Sequence, residues 1–345
     1  MSVFAVTGAS GQIAGKLIPL LAQKEECERI IGIDIKPPQE KFEKFEFLKK
    51  DVRSPELKEV FQANKVRVVF HLAFVLNPIH NLNLMYEINL KGTKNVLKCA
   101  REAEAEQVIV TSSATAYGAH PDNPVPLKEE HPLRAEPEFD YAYHKREMDL
   151  LCQEFAQNHP ELKITIFRPC IVVGKRFENY IARVLLHPFN FFIAGADPYL
   201  QFIAEEDVAR GLMLSALKRK EGIFNLAGEG WLKLSEIWEI KRRLITLNFP
   251  EWFIYPAVRL GWRIHFPMVE FPAGAIDYFR YPWVVDISKA EKELGFVPEY
   301  SSRKVWEDYI RWREENPLGF WQTRRKKRIE KRTYQQAKQE IFTSD

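Results

Sequence analysis

The sequence predicts an α/β protein: a doubly wound parallel sheet followed by a smaller, aromatic-rich C-terminal domain that would bind substrate. Three observations carry this. Short β-branched runs alternate with segments of helical periodicity from residue 2 to about 175. A glycine-rich turn joins the first run to the first helical segment. The 24 Phe, 12 Tyr and 8 Trp are unevenly spread, and every tryptophan lies at or beyond Trp231.

The expected strands are VFAVTG at 3–8, RIIGID at 29–34, VRVVFHLA at 66–73, QVIVTSS at 107–113 and KITIFRP at 163–169. Continuous apolar runs of this kind belong to strands covered on both faces, which is the parallel case. Between them GKLIPLLAQ and KGTKNVLKCAREA repeat apolar residues at three and four, the helical period. After residue 175 the alternation fails, except that EEDVARGLMLSALKRK at 205–220 reads as an amphipathic helix and IFNLAG at 223–228 as one more strand. Further helices are expected at 234–247, 288–294 and 302–315. The predicted division is therefore a dinucleotide-binding domain over 1–175 to which 200–228 returns, a substrate-binding subdomain from 176–199 and 229–321, and a basic tail over 322–345.

With 345 residues, 46% hydrophobic and 28% charged, the chain has ordinary globular composition. The net charge of +3 divides unequally. The tail holds eight basic residues against three acidic, net +5, leaving 42 against 44, net −2, elsewhere. Specific nucleic-acid binding is not expected of such a balance. Anionic lipid or an acidic partner meeting residues 324–332 is the sharper reading of the tail, and a solvated helix or frayed end the plainer one. Cys27, Cys99, Cys152 and Cys170 form no C-x-x-C pair and read as reduced core thiols. The N-terminus enters a strand with no basic leader, and Arg183, Arg259, Arg263 and Glu270 interrupt the most apolar stretches. A cytoplasmic protein is expected.

In the turn GASGQIAG, Gly8 and Gly11 let the backbone approach a diphosphate. Ser10, Gln12 and Ile13 lie beside them, where free N–H groups and the positive helix end favour an anion. Asp34 ends the second strand, 26 residues after Gly8, where a carboxylate accepts from both hydroxyls of an adenosine ribose and repels a 2′-phosphate. NAD is thus favoured over NADP, with Lys36 partly offsetting the repulsion.

These motifs resemble, in order, those of the extended short-chain dehydrogenase/reductase superfamily, the NAD-dependent epimerase/dehydratase family, over about residues 1–312. TGASGQIAG at 7–15 is similar to the family loop T-G-x-x-G-x-x-G, with Ala14 for the third glycine. KKDVRS at 49–54 resembles the motif that would set Asp51 and Val52 beside adenine. FHLAF at 70–74 resembles the cofactor-lining H-L-A-A, contributing Leu72, Ala73 and Phe74, the last in place of alanine. NLKGTKNVLKCA, VTSSATAYG and FRPCIVVG are similar to the family's later motifs. The resemblance implies a Rossmann-type sheet, NAD as cofactor, a small-molecule substrate and a homodimer.

Tyr141 and Lys145 stand one helical turn apart in DYAYHKREMDLL. A neighbouring ammonium and an oxidised nicotinamide would lower the phenol's pKa, so that Tyr141 takes a proton from a substrate hydroxyl while Lys145 also bonds the nicotinamide ribose. Ser113 aligns with the family residue that holds the substrate oxygen. Tyr143 would need a lysine at 147, where Glu147 stands, and Tyr117 is expected to pack in its Y-G turn. His71 reads as a satisfied core histidine. The remaining histidines are scattered, so no metal site is expected.

The activity expected is NAD(P)-dependent oxidoreduction or epimerisation at a hydroxyl-bearing carbon of a sugar-like or apolar alcohol. Dehydration is least expected, because Ala114 and Thr115 follow Ser113 where dehydratase-like members carry Asp-Glu. The rival class is a non-catalytic NAD-binding scaffold or redox sensor acting through a partner. Leu200 and Gln201 stand where nucleotide-sugar members carry a diphosphate-binding arginine; Asn179 or Arg183 would have to substitute. Ten aromatics between 252 and 283 admit three readings: core of a loop-rich subdomain, wall of an apolar pocket, or a membrane-facing surface with Arg259 and Arg263 at headgroup level.

Overall fold

The computed structural model of the chain describes residues 1–76, 81–175, 180–186, 190–241, 246–266, 269 and 271–316. Asn179, the Arg183 side chain, Glu270 and the basic tail lie outside the described residues.

Seven strands make one parallel sheet: β1 (Ser2–Thr7), β2 (Cys27–Asp34), β3 (Phe45–Lys49), β4 (Val66–His71), β5 (Gln107–Thr111), β6 (Lys163–Pro169) and the strand Gly222–Leu226. Their spatial order is 222–226, β6, β5, β4, β1, β2, β3. Alternate residues serve opposite faces. Phe4, Val6, Val68, Phe70, Ile109 and Phe167 pack in one apolar layer with α1 (Gln12–Ala22) and the helix Glu205–Lys218. Val3, Ala5, Ile31, Ile33, Val108 and Ile164 pack on the other side with α2 (Leu57–Ala63), α4 (Gly92–Glu102) and α5 (Asp140–Asn158); α3 (Leu82–Tyr86) precedes α4. Burial on both faces is why the strands read as unbroken apolar runs.

Two elements depart from expectation. β3, FEFLK, is an edge strand paired only with β2 and is at most half-buried, so its glutamate and lysine dilute the strand signal. The helix expected over 234–247 is described over Leu234–Lys241, and at its far end Thr246–Phe249 is instead a strand, paired in parallel with Asn190–Ile193.

β1 leads to β2 and β3 on one side, while the chain crosses to β4 on the other. This reversal opens a crevice beyond the carboxyl ends of β1 and β4, which are in register at Thr7 and His71. Beyond β6, short strands and helices form the aromatic region. Tyr278, Phe279, Trp283 and Trp306 are buried, and Phe202 stacks on Trp306 with centroids 4.9 Å apart. Trp252, Phe253 and Phe266 are exposed. The aromatic set thus divides between core and surface. All four cysteines are buried and free. Among the described residues no helix is long and apolar enough to cross a membrane, and no cluster of metal-ligating side chains occurs.

Candidate active site

The β1–α1 turn shows why glycine stands at both positions. Gly8 has φ +71°, and a Cβ there would lie 2.7 Å from the Ala73 nitrogen; at Gly11 it would lie 2.9 Å from the Gly8 carbonyl oxygen. The backbone is packed so closely there that a side chain at either position would collide with it, which keeps the turn tight at the N-terminus of α1. A crevice of about 290 Å³ extends from it, lined by Gly8, Ser10, Gly11, Asp34, Lys36, Asp51, Val52, Arg53, Leu72, Ala73 and Phe74. Gln12 and Ile13 form the first turn of α1 rather than the lining.

Asp34 also holds the loop. Its Oδ2 accepts from the Ser10 amide (3.1 Å) and hydroxyl (2.5 Å), and its Oδ1 from the Ile35 amide (2.7 Å). Asp51 is clamped by Arg53, whose Nε and Nη2 donate to its two oxygens at 2.9 and 2.7 Å. Burial works to raise the Asp51 pKa, but the Arg53 hydrogen bonds and charge prevail and lower it. These residues suit the adenosine end of a dinucleotide: the glycine cradle for the diphosphate and the Asp34 carboxylate for ribose hydroxyls.

Behind Phe74, which lines the crevice, stands a polar group walled by aromatics. Tyr141 is buried, and the Ser113 and Thr115 hydroxyls hydrogen-bond its phenol. The Thr115 hydroxyl also donates to Ser113 Oγ at 2.9 Å. Burial pushes the phenol up to about 12, with the two hydroxyls pulling it down. The sequence expectation adds the Lys145 ammonium and an oxidised nicotinamide to the influences that lower it. Lys145 Nζ donates to the Thr111 carbonyl at 2.6 Å and lies 3.5 Å from the centroid of the Phe74 ring. Burial lowers the Lys145 pKa to about 7, against Asp149 and Cys152, which raise it. Phe74, where the family motif has alanine, meets Tyr141 edge-on at 5.9 Å.

Other polar residues build the frame. His71 Nδ1 accepts from the Thr7 hydroxyl (2.8 Å), and Nε2 donates to the Thr93 hydroxyl (2.9 Å), whose own proton goes to the Asn89 carbonyl. Burial, with the Lys145 charge, lowers its pKa to about 3, so it is a neutral core histidine. Tyr117 donates to Asn225 and accepts from Arg168, which is buried and bidentate on Asp149. Tyr143 lies against Arg146 instead.

Two residues escaped sequence reasoning as parts of the site. Asn89, buried in the π-helical turn Glu87–Lys91 between α3 and α4, accepts from the Val75 amide at 2.8 Å and so fixes the segment after β4. Its place in the N-x-x-G-T motif was the available signal. Tyr278 donates to the Thr115 carbonyl at 2.8 Å and packs 5.3 Å from Phe139, joining the aromatic region to the polar group. No local pattern distinguishes it from its aromatic neighbours.

On the substrate side, Leu200 is buried, and Gln201 spends its amide on the backbone of Val285 and Gly228. Phe139, Ile181, Leu200, Ala275, Tyr278, Phe279 and Trp283 close together so tightly that no water fits among them.

Comparison with known proteins agrees with this architecture. Residues 4–227 match the family model described as NAD dependent epimerase/dehydratase family. An uncharacterized protein of Mycobacterium tuberculosis is 26% identical over 325 residues, spanning 92% of this chain and 85% of its own. A UDP-glucuronate 4-epimerase of Thermodesulfobacterium geofontis is 25% identical over 344 residues, spanning 92% and 97%. The crystal structure of UDP-glucose 4-epimerase from Thermotoga maritima, with UDP-glucose, superposes with TM-score 0.69 at 17% identity, over 92% of this chain and all of that one.

Proposed function

The chain belongs to the NAD-dependent epimerase/dehydratase family, and on that premise we propose that Tyr141 is the acid/base of an oxidoreductase or epimerase acting on a secondary alcohol. The observation that carries this is the Tyr141 phenol, buried behind Phe74 of the glycine-lined crevice and hydrogen-bonded by Ser113 and Thr115. NAD⁺ held in the crevice supplies a hydride acceptor for the carbon bearing the hydroxyl. Tyr141 Oη, as the phenolate that the Ser113 hydroxyl and the positive charges of Lys145 and bound NAD⁺ favour, takes the hydroxyl proton, and Ser113, to which the Thr115 hydroxyl donates, then holds the substrate oxygen. Lys145, in its protonated form, contributes positive charge beside the crevice. The Arg168–Asp149 pair is a positioning element: it fixes the middle of α5 against β6 one turn after Lys145.

Substrate class follows from charge. A nucleoside diphosphate needs cationic donors, and at positions 200 and 201 the chain has buried Leu200 and Gln201, whose amide is spent on backbone groups, so no cation stands there. This favours an apolar alcohol. The epimerase relatives support nucleotide-sugar epimerisation as the second reading.

The test incubates the full chain and NAD⁺ with UDP-sugars and with lipophilic secondary alcohols, following absorbance at about 340 nm and sugar isomers. Tyr141→Phe is expected to cut turnover ~10²–10⁴-fold while calorimetric NAD⁺ affinity stays unchanged. Full turnover in Tyr141→Phe overturns the acid/base assignment, and interconversion of UDP-sugars with no alcohol oxidised overturns the substrate class.

A further inference from the structure

The helix Glu251–Arg263 reads EWFIYPAVRLGWR, apolar on nearly every side. Such a helix belongs inside a core or against lipid, yet within it only Val258 and Gly261 are fully buried. Trp252, Pro256 and Leu260 repeat every four residues along one side, and Ile264 continues the row. Trp252 is 78% exposed, and Leu260 and Ile264 61% each. Phe253, whose ring lies 6.1 Å from that of Trp252, is exposed as well, as are Phe266 and Leu247. Six of the fourteen large apolar side chains exposed among the described residues thus fall between 247 and 266. Concentration of that degree marks an interaction surface.

The opposite side of the helix is fastened. Tyr255 hydrogen-bonds Asp277, and Glu251 forms a bidentate pair with Arg280. Asp277 lies in the segment Ala273–Phe279 and Arg280 directly follows it, and the Tyr278 hydroxyl of the same segment meets the Thr115 carbonyl. The exposed face is therefore presented by an ordered helix braced against the candidate site.

Charge decides what covers it. Arg259 and Arg263 are exposed, next to the apolar row, and the one carboxylate between 247 and 266, Glu251, is engaged by Arg280. Two copies docked through this patch about a two-fold axis would set the arginines against each other. An anionic bilayer instead meets both features: the hydrocarbon boundary takes Trp252, Leu260, Ile264 and Phe266, while the guanidinium groups reach up to phosphates. In the sequence the last 24 residues add a further net +5, of the same sign.

We propose that the face formed by Trp252, Leu260, Ile264 and Phe266, with Arg259 and Arg263, docks the protein on the surface of an anionic lipid bilayer. The docking is monotopic, and it stands whether or not the site oxidises an alcohol.

The full chain is co-sedimented with phosphatidylcholine vesicles and with vesicles holding about 30% phosphatidylglycerol, at about 0.1 M and 0.5 M salt. Binding to the anionic vesicles, weakened by salt, is expected. The double variant Trp252→Glu with Leu260→Glu should bind on the order of tenfold more weakly or worse, with calorimetric NAD⁺ affinity retained as proof of folding. Arg259→Ser with Arg263→Ser should mainly remove the preference for anionic vesicles. Three results overturn the proposal: no binding to anionic vesicles, equal binding by the Trp252/Leu260 variant, or a lipid-independent dimer that this variant dissolves.

Discussion

The glycine crevice and the helix Glu251–Arg263 follow opposite rules within one chain. Around the crevice, side chains are committed to the frame: Asp34 to the loop, Asp51 to Arg53, Asn89 to Val75 and His71 to two threonines. Along the helix, large apolar groups stand in solvent and only the inner side is tied down. The contrast shows that aromatic content by itself locates neither core nor pocket. Tyr278 and Trp283 are structural and Trp252 is not, though all three come from a stretch of 32 residues. Substitutions that separate these cases sharpen the comparison.

The largest effect is expected at Trp283. It is buried, its Nε1 donates to the Tyr278 carbonyl at 3.1 Å, and its ring lies 5.4 Å from Tyr278 edge-on. Trp283→Ala removes these contacts and opens a cavity in a region where no water fits, for a cost of ~3–5 kcal/mol in urea unfolding. Tyr278 carries the hydroxyl that holds the Thr115 carbonyl, so turnover should fall beyond what the loss of folded protein explains. A cost near zero would make the whole aromatic stretch a surface feature and erase the distinction.

Gly8→Ala probes the crevice from the backbone side. An alanine would take up a left-handed φ with its Cβ 2.7 Å from the Ala73 nitrogen, so either β1 and β4 separate or the turn is remade. A loss of ~1–3 kcal/mol and at least a tenfold weaker NAD⁺ affinity, since 1.4 kcal/mol is tenfold, are expected by calorimetry. Unchanged affinity would show that the close approach of turn and β4 does not shape the cradle.

His71 tests whether the frame is as dry as its hydrogen bonds imply. Its folded pKa is depressed from 6.5 to about 3, so the fold binds the neutral ring. The contribution to stability is complete above pH 6.5 and is lost as pH falls toward 3, at ~1.4 kcal/mol per pH unit. The stability gap between wild type and His71→Gln should narrow at about that rate between pH 6.5 and 4.5 in urea titrations. Buried acids such as Asp207, whose pKa is raised, act in the opposite direction but are common to both proteins. A constant gap would mean that water reaches the ring.

How much of this was legible in the sequence follows the same division. The sheet was readable because strands covered on both faces need unbroken apolar runs, and Gly8, Gly11 and Asp34 were readable because a turn that close to a second strand admits few side chains. β3 was missed because an edge strand needs only alternation. Helical spacing sets Lys145 one turn from Tyr141 but does not say that its ammonium goes to the Thr111 carbonyl and the Phe74 ring. Nothing local to 252–283 divides its aromatics into buried and exposed, since that depends on where Ala273–Phe279 crosses the chain at Thr115, more than 150 residues earlier.

The smallest effect is the most discriminating. Trp252 is 78% exposed, with Phe253 as its ring neighbour 6.1 Å away. Trp252→Ala should change stability by less than ~0.5 kcal/mol in the dilute, lipid-free protein, an order of magnitude below Trp283→Ala. The same substitution should weaken binding to anionic vesicles, because there the indole leaves water. A stability loss that grows with protein concentration would mean that the indole is already buried against a second copy, and the difference between the two tryptophans would then be one of partner rather than of burial.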